Sequence, residues 1–395
     1  MSQLQIIKVM LKNEALSKTQ VLAMPPNSPE SSILEEARTF IITNCLARNP
    51  VIVLGSGASV RHGLPTMDML KEAIVGEVNP LERTAAAEKA WKQFKAVLAE
   101  KDPVTGQHTD LETALQRVGL HEHPDLHDKV IDATWARVAA DDQKAFLSFL
   151  AGGELPLARL FRFLLNSQHR RVTVVTPNYD RIAEYAADIA GFCHRTGFGS
   201  GYIRTWQEMD RPVRFYHADL KIEERTIDIW KVHGSIDWFR VGDPGKERIL
   251  SLPIGASDTA PPARMSMARP VIVPPGRGKY EETHRDPYRS CMREADRSLA
   301  QAQAFLCVGY GFNDSHLQER LVSRCRDAKL PVVLITRDIT PKAKELLIDA
   351  KANCVILSRG KTVGTTLIHT PTRREGVEVE GPDLWDFPHF LDFAL

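Results

Sequence analysis

Apolar residues along this chain fall in short runs that alternate with helical periodicity. "VIVLG" (51–55) is too brief for a helix and β-branched enough for a strand buried on both faces of a parallel sheet. The same pattern returns in "RVTVVT" (171–176), "DIWKVHG" (228–234), "RPVIVPP" (269–275), "AFLCVGYG" (304–311), "PVVLIT" (331–336) and "NCVILS" (353–358). Between these runs, "ILEEARTFIITNCLAR" with Ser31 or Ser32 as cap, "LPTMDMLKEAIVGEV" with Thr66 as cap, "DSHLQERLVSRCRDA" and "TPKAKELLIDA" read as helices. From about 81 to 168 the pattern is helical throughout, and "HTDLETALQRVGL" carries a capping box of Thr109 and Glu112.

Strands alternating with helices predict an α/β fold, a Rossmann-like parallel sheet with helices on both faces, here with a helical insertion lobe over 81–168. The Pro- and Ser-rich "MPPNSPESS" separates an N-terminal arm (1–30) from a main domain (31–358), leaving 359–395 as a C-terminal tail. The aromatic end of that tail, "DLWDFPHFLDFAL", suits packing on its own core or docking onto a partner subunit. Residues 196–230 show no clear period, and 241–269 read as a loop rich in Pro, Gly, Ser and Ala.

Composition narrows the function classes. A 43% apolar and 26% charged chain is that of an ordinary globular protein, and a formal charge of +1 gives no basic field for nucleic acid. No apolar run is long enough to span a bilayer, and the N-terminal stretch lacks a signal-peptide core, so a cytoplasmic location is expected. The six cysteines are scattered with no CxxC pair, which fits reduced thiols and predicts neither a disulfide framework nor a zinc module.

Parallel sheets bind ligands beyond the carboxyl ends of their strands. Four polar or glycine-rich segments stand there: "GSGAS" after the first strand, "TPNYD" after "RVTVV", "VHG" at the end of "DIWK", and "GYGFND" after "FLC". Glycines let backbone N–H groups approach a phosphate, or simply make a tight turn. Asn178 and Asp180, an amide and a carboxylate at a strand–helix junction, suit either a ligand or a helix cap. His233 is a candidate base or a satisfied strand-end histidine, and Gly234 allows close approach. Other motifs fail: "HEHPDLHD" (121–128) lacks the HExxH spacing, so no metal site is expected, and "PPGRGKY" (274–280) lacks the first Gly and the Ser/Thr of a P-loop.

In this order, "GSGASVRHGLP" (55–65), "TPNYD" (176–180), "VHG" (232–234) and "VGYGFND" (308–314) resemble the sirtuin family of NAD-consuming enzymes. The resemblance implies that NAD is the substrate. The helix start after Gly55, Ser56, Gly57, Ala58 and Ser59 would take the pyrophosphate, and Pro65 and Thr66 would also contact the NAD. Gly309, Gly311, Asn313 and Asp314 would line the adenosine half. By the same resemblance Asp180 would anchor the nicotinamide carboxamide, Asn178 would order the ribose and the attacking water, and His233 would act as general base. The chain departs from the classical pattern: it has no paired CxxC module, and "TMDM" stands where those enzymes carry an Arg. These departures are similar to the zinc-free sirtuin-like NAD hydrolases of anti-phage defence, some of which work beside a HerA-like ATPase in large assemblies. The expectation is therefore an NAD glycohydrolase, a homo-oligomer with a possible ATPase partner of that kind. An NAD-dependent protein deacylase and a non-catalytic NAD- or ADP-ribose-binding subunit are the alternatives.

Overall fold

The computed structural model describes residues 29–395 except 79–83, 102–107, 120–121, 167–168, 200, 208–213, 218–219, 244, 254–267, 274–285 and 328. The failed P-loop segment 274–280, His121 and nearly all of the arm 1–30 lie outside the described residues. The first strands along the chain are β1 (Val51–Leu54), β2 (Arg171–Thr176), β3 (Cys193–Arg195), β4 (Arg204–Thr205) and β5 (Arg214–His217). Then come β6 (Leu220–Glu223), β7 (Thr226–Lys231), β8 (Gly234–Val241), β9 (Arg248–Ser251) and β10 (Ala268–Ile272). The last are β11 (Phe305–Val308), β12 (Val332–Thr336), β13 (Cys354–Arg359), β14 (Thr365–His369) and β15 (Val377–Glu380). The chain divides into two compact units, one of residues up to Ala58, 156–175 and 296–395, the other of 59–155 and 176–295.

The first unit is built on a sheet in the order β15-β14-β13-β12-β11-β1-β2. From β13 to β2 the pairing is parallel, with Val53 aligned to Cys307 on one side and Val175 on the other. Every residue of β1 and β11 is buried, as expected of parallel strands covered on both faces. One covering helix, Pro156–Asn166, buries Leu157, Leu160, Phe161, Leu164 and Leu165, the spacing that lays one stripe on a core. The C-terminal helix Phe387–Ala394 packs back on this helix, with Asp392 paired to Arg159 and Arg38 Nε donating to the Phe393 carbonyl at 2.9 Å. The segment after 359 also adds β14 and β15 as antiparallel strands at the sheet edge.

The second unit holds the helical lobe: Met67–Glu77, Ala85–Ala99, Leu111–Val118 and the long helix Pro124–Leu150. Thr66 caps the first of these, its Oγ1 accepting from Met69 N at 3.3 Å. The cap of Leu111–Val118 is Asp110 rather than Thr109. Its carboxylate accepts from both the N–H and the hydroxyl of Thr113, at 2.8 and 2.7 Å, and an ionised oxygen outcompetes the neighbouring hydroxyl there. The first helix among the described residues likewise begins at Pro29 instead of after Ser31 or Ser32, a position that proline's fixed φ favours.

Strands of the second unit form a parallel pair, β3 with β7, an antiparallel sheet β10-β8-β9-β4, and the hairpin β5-β6. The run at 269–275 is therefore a strand, but an antiparallel one, paired Pro270 to Phe239 across to β8. "DIWKVHG" also splits: β7 stops at Lys231, the chain turns through Val232 and His233, and β8 begins at Gly234. The turn depends on Gly234, whose φ of +86° disfavours any side chain and whose Cβ would stand 2.2 Å from the Val271 carbonyl oxygen.

Candidate active site

The second unit brings two of the anticipated segments together through their backbones. Val232 N donates to the Thr176 carbonyl at 3.1 Å, and Ile236 N donates to the Tyr179 carbonyl at 3.1 Å. These two bonds bracket both turns, so the segment carrying Asn178 and Asp180 lies alongside the segment carrying His233. Val273 N adds a third strut, donating to the His233 carbonyl at 2.9 Å, while the Tyr179 hydroxyl donates to the Val273 carbonyl at 2.6 Å. His233 is buried; Asn178 and Asp180 are partly exposed.

Side chains then fix the polar groups. Asn178 Nδ2 donates to Ser59 Oγ at 3.1 Å, and the Asn178 N–H closes a local turn on Thr176 Oγ1 at 3.0 Å. Asp180 Oδ1 accepts from Ile182 N at 3.1 Å, satisfying the first N–H of helix Ile182–Ala190 from one residue before its N-cap, Arg181. Burial pushes the Asp180 carboxyl up to about 6; the Lys231 charge, the Ser59 hydroxyl and the Ile182 N–H oppose that rise, and Asp142 adds to it. A carboxyl so placed loses its proton just below neutrality.

Several buried ionic groups behind these turns escaped the sequence reading. Lys231 is fully buried, and its ammonium donates to the carbonyls of Tyr179 and Asp180 and to Glu184 Oε1 at 3.0 Å. Asp142, fully buried on the long helix, accepts from Arg181 N and from its guanidinium, both at 2.7 Å, and from the Tyr185 hydroxyl at 2.6 Å. Asp237 accepts from Ser235, from Ser251 Oγ at 2.5 Å and from Arg204 at 3.0 Å. Burial opposes its ionisation, yet Lys231, Arg204 and Arg181 hold its carboxyl below the usual range. Arg195 and Asp228 pair across β3 and β7 at 2.6 and 2.7 Å. Lys231 carried one legible signal, a lone cation two residues before His-Gly in an otherwise apolar run.

In the first unit the glycine-rich turn after β1 meets the one after β11. Gly55 N donates to the Val308 carbonyl at 3.0 Å and Gly57 N to the Gly309 carbonyl at 3.1 Å. A Cβ on Gly55 would stand 2.2 Å from Gly309 O, and one on Gly309, whose φ is +58°, would stand 2.4 Å from Ala58 N. These glycines thus let two turns touch, and the N–H groups of Gly55, Gly57 and Ala58 are bonded within the protein. Thr340 Oγ1 donates to the Gly311 carbonyl at 2.5 Å. Asn313 is exposed, and Asp314 Oδ1 caps the next helix by accepting from Leu317 N at 3.2 Å. Ser56 is exposed, Ser59 and Pro65 are buried, and Thr66 is the helix cap described above.

The family model of the SIR2-like domain matches residues 172–356, a little under half of the chain, and that stretch contains Asn178, Asp180, His233 and the Gly309–Asp314 turn. No curated protein matches. Among solved structures, the crystal structure of a Sir2 homolog–NAD complex is 14% identical over 86% of this chain and 91% of that one, with a TM-score of 0.38. A structure solved for the mechanism and regulation of Sir2 enzymes is 14% identical, covers 79% of this chain and 90% of that one, and gives 0.36. Overlap of that extent carries no functional weight.

Proposed function

We propose that the chain is an NAD glycohydrolase, which cleaves NAD with water to nicotinamide and ADP-ribose. The observation that carries this reading is the backbone pairing of the Thr176–Asp180 and Val232–Ile236 segments, which sets an amide, an ionisable carboxyl and an imidazole on adjoining turns. The SIR2-like match over 172–356 supports it, since that stretch contains both turns.

In the proposed reaction the bond from the ribose C1′ to the nicotinamide nitrogen breaks, and its electron pair leaves with nicotinamide as the neutral base. The transition state is oxocarbenium-like, as in other glycosidic cleavages. Water adds its oxygen to C1′, and its proton passes to the His233 imidazole and on to solvent, a general-base contribution of about 10²- to 10⁴-fold. Asn178 orders the ribose and the water. Asp180, ionised above about pH 6, accepts from the carboxamide NH2 and favours positive charge on the sugar. Gly55, Ser56, Gly57, Ala58 and Ser59 are assigned to the pyrophosphate, Pro65 and Thr66 to NAD binding more generally, and Gly309, Gly311, Asn313 and Asp314 to the adenosine half.

The proposal extends to an effector role in anti-phage defence in the cytoplasm, as a homo-oligomer that works with a HerA-like ATPase. The test is nicotinamide release by the purified protein, with and without that ATPase and with and without an acyl-lysine peptide. Release without peptide that is lost in His233→Ala and Asn178→Ala is the expected result. A strict peptide requirement would replace the reading with deacylation, and NAD binding without cleavage in every arm would leave a binding subunit.

A further inference from the structure

The helical lobe reaches both turns through its long helix Pro124–Leu150. On the helix Pro124–Leu150, Trp135 and Asp142 stand seven residues apart, about two turns, and therefore share a face. Trp135 Nε1 donates to the Ile236 carbonyl at 2.7 Å, three residues after His233. Asp142 takes the Arg181 N–H on Oδ1 at 2.7 Å, one residue after Asp180, and the Arg181 guanidinium and Tyr185 hydroxyl on Oδ2. Neither side chain is exposed to solvent. The same face continues with Phe146 and Phe149, whose rings lie 4.9 and 6.2 Å from that of Tyr185. At the other end Trp135 meets Phe239 of β8 edge-on at 5.9 Å. The same residue Ile236 that accepts from Trp135 through its carbonyl donates through its N–H to Tyr179. Helix and turns therefore close a hydrogen-bonded triangle.

We infer that the helix Pro124–Leu150 is a brace that sets the two turns for reaction, with Asp142 and Trp135 as its positioning residues. Neither residue is a catalytic group: each acts on the backbone beside one. The inference rests on the NAD glycohydrolase reading for its kinetic consequence, but the mechanical coupling stands on the contacts alone. A buried carboxylate that saturates both oxygens on the first turn of one helix fixes the position of that turn, because leaving any of those donors unpaired is costly. Small displacements matter, since a misplacement of about 1 Å costs on the order of a hundredfold in rate.

The experiment compares the full chain with Asp142→Asn and Trp135→Phe by two independent readouts, with Tyr185→Phe as a milder variant should Asp142→Asn fail to fold. In steady-state NAD cleavage, kcat falls about tenfold or more while KM stays within about twofold, the split expected for lost orientation rather than lost binding. The Asp180 carboxyl accepts from the Ile182 N–H and feels the Lys231 ammonium on β7, Asp142 on the long helix and the Ser59 hydroxyl. Removing the Asp142 charge therefore moves the acid limb of kcat to lower pH, which a purely structural defect does not do. In amide hydrogen exchange, peptides spanning 176–184 and 231–238 exchange faster in the variants while the helix Ala85–Ala99 is unchanged. Wild-type kcat in both variants, or exchange that quickens uniformly along the chain, would overturn the brace. If the wild type releases no nicotinamide the enzymatic reading fails by itself, and the exchange pattern still decides the brace.

Discussion

Ser59 serves both Asn178 and Asp180: its hydroxyl oxygen accepts from the Asn178 amide at 3.1 Å, and the same hydroxyl favours the ionised form of the Asp180 carboxyl. Two of the three groups assigned to chemistry thus share one small side chain, which lies four residues beyond the first strand's Gly55.

Ser59→Ala removes the bond to Asn178 together with the hydroxyl that favours Asp180 ionisation. Such a bond is worth about 0.5–1.5 kcal/mol, so turnover of NAD should drop by roughly twofold to tenfold. The Asp180 carboxyl, having lost a donor, should also titrate higher. Steady-state kinetics across pH check both effects, and an unchanged acid limb would separate Ser59 from Asp180.

The pH dependence has a definite sign. The Asp180 carboxyl titrates near 6 in the fold and near its ordinary 3.8 when unfolded. Between those values the native state holds the extra proton, so this residue's contribution to stability declines as pH rises through that window. Asp180→Asn should therefore melt higher than wild type at pH 8 and close to it at pH 4, while losing cleavage. Activity should run the other way, with an acid limb close to pH 6, because the ionised carboxylate is the working form. Thermal melts and kcat/KM profiles at matched ionic strength check the two trends.

Lys231 and Glu184 make a double-mutant cycle informative. Lys231→Met leaves Glu184 buried beside two carbonyls with no cation, and breaking a buried pair from one side costs about 3–5 kcal/mol. The double variant Lys231→Met with Glu184→Met removes the stranded charge and should recover about 1 kcal/mol or more of that loss. Denaturant titration measures the coupling. Additive losses would show that the ammonium serves the Tyr179 and Asp180 carbonyls alone.

Two glycines should respond in opposite directions. Gly234→Ala imposes a left-handed backbone on an L residue, a cost of about 1–2 kcal/mol, before the contact with the Val271 carbonyl is relieved. Gly76 lies inside the helix Met67–Glu77 with open space where a Cβ would point, so Gly76→Ala should stabilise by about 0.5–1 kcal/mol. Chemical denaturation of the two variants provides the comparison.

Most parallel strands were legible because burial on both faces writes itself as unbroken apolar runs: β1, β2, β12 and β13 fall within a residue of the expected spans, while β11 ends at Val308, three residues before the run does. Strands β3 to β6 were not, being two to four residues long and mixed in polarity. β10 looked like its parallel counterparts because a run such as Val271–Val273 records burial but not partner direction. Asn178, Asp180 and His233 stood out because polar residues interrupt apolar runs at strand ends. Asp142 did not, since "AADDQK" on a helix reads as a solvated face, and only tertiary packing reveals that this carboxylate is enclosed. The contact of Gly57 with Gly309 is a relation between turns about 250 residues apart, which no local pattern encodes.

The struts that join the Thr176–Asp180 and Val232–Ile236 segments are main-chain amides and carbonyls, blind to which side chains those segments carry. Alanine at position 178 or 233 leaves every one of them in place. Under the proposed reaction such variants are accordingly suited to trapping uncleaved dinucleotide for crystallography, since they would delete the assigned groups without loosening the frame that held them.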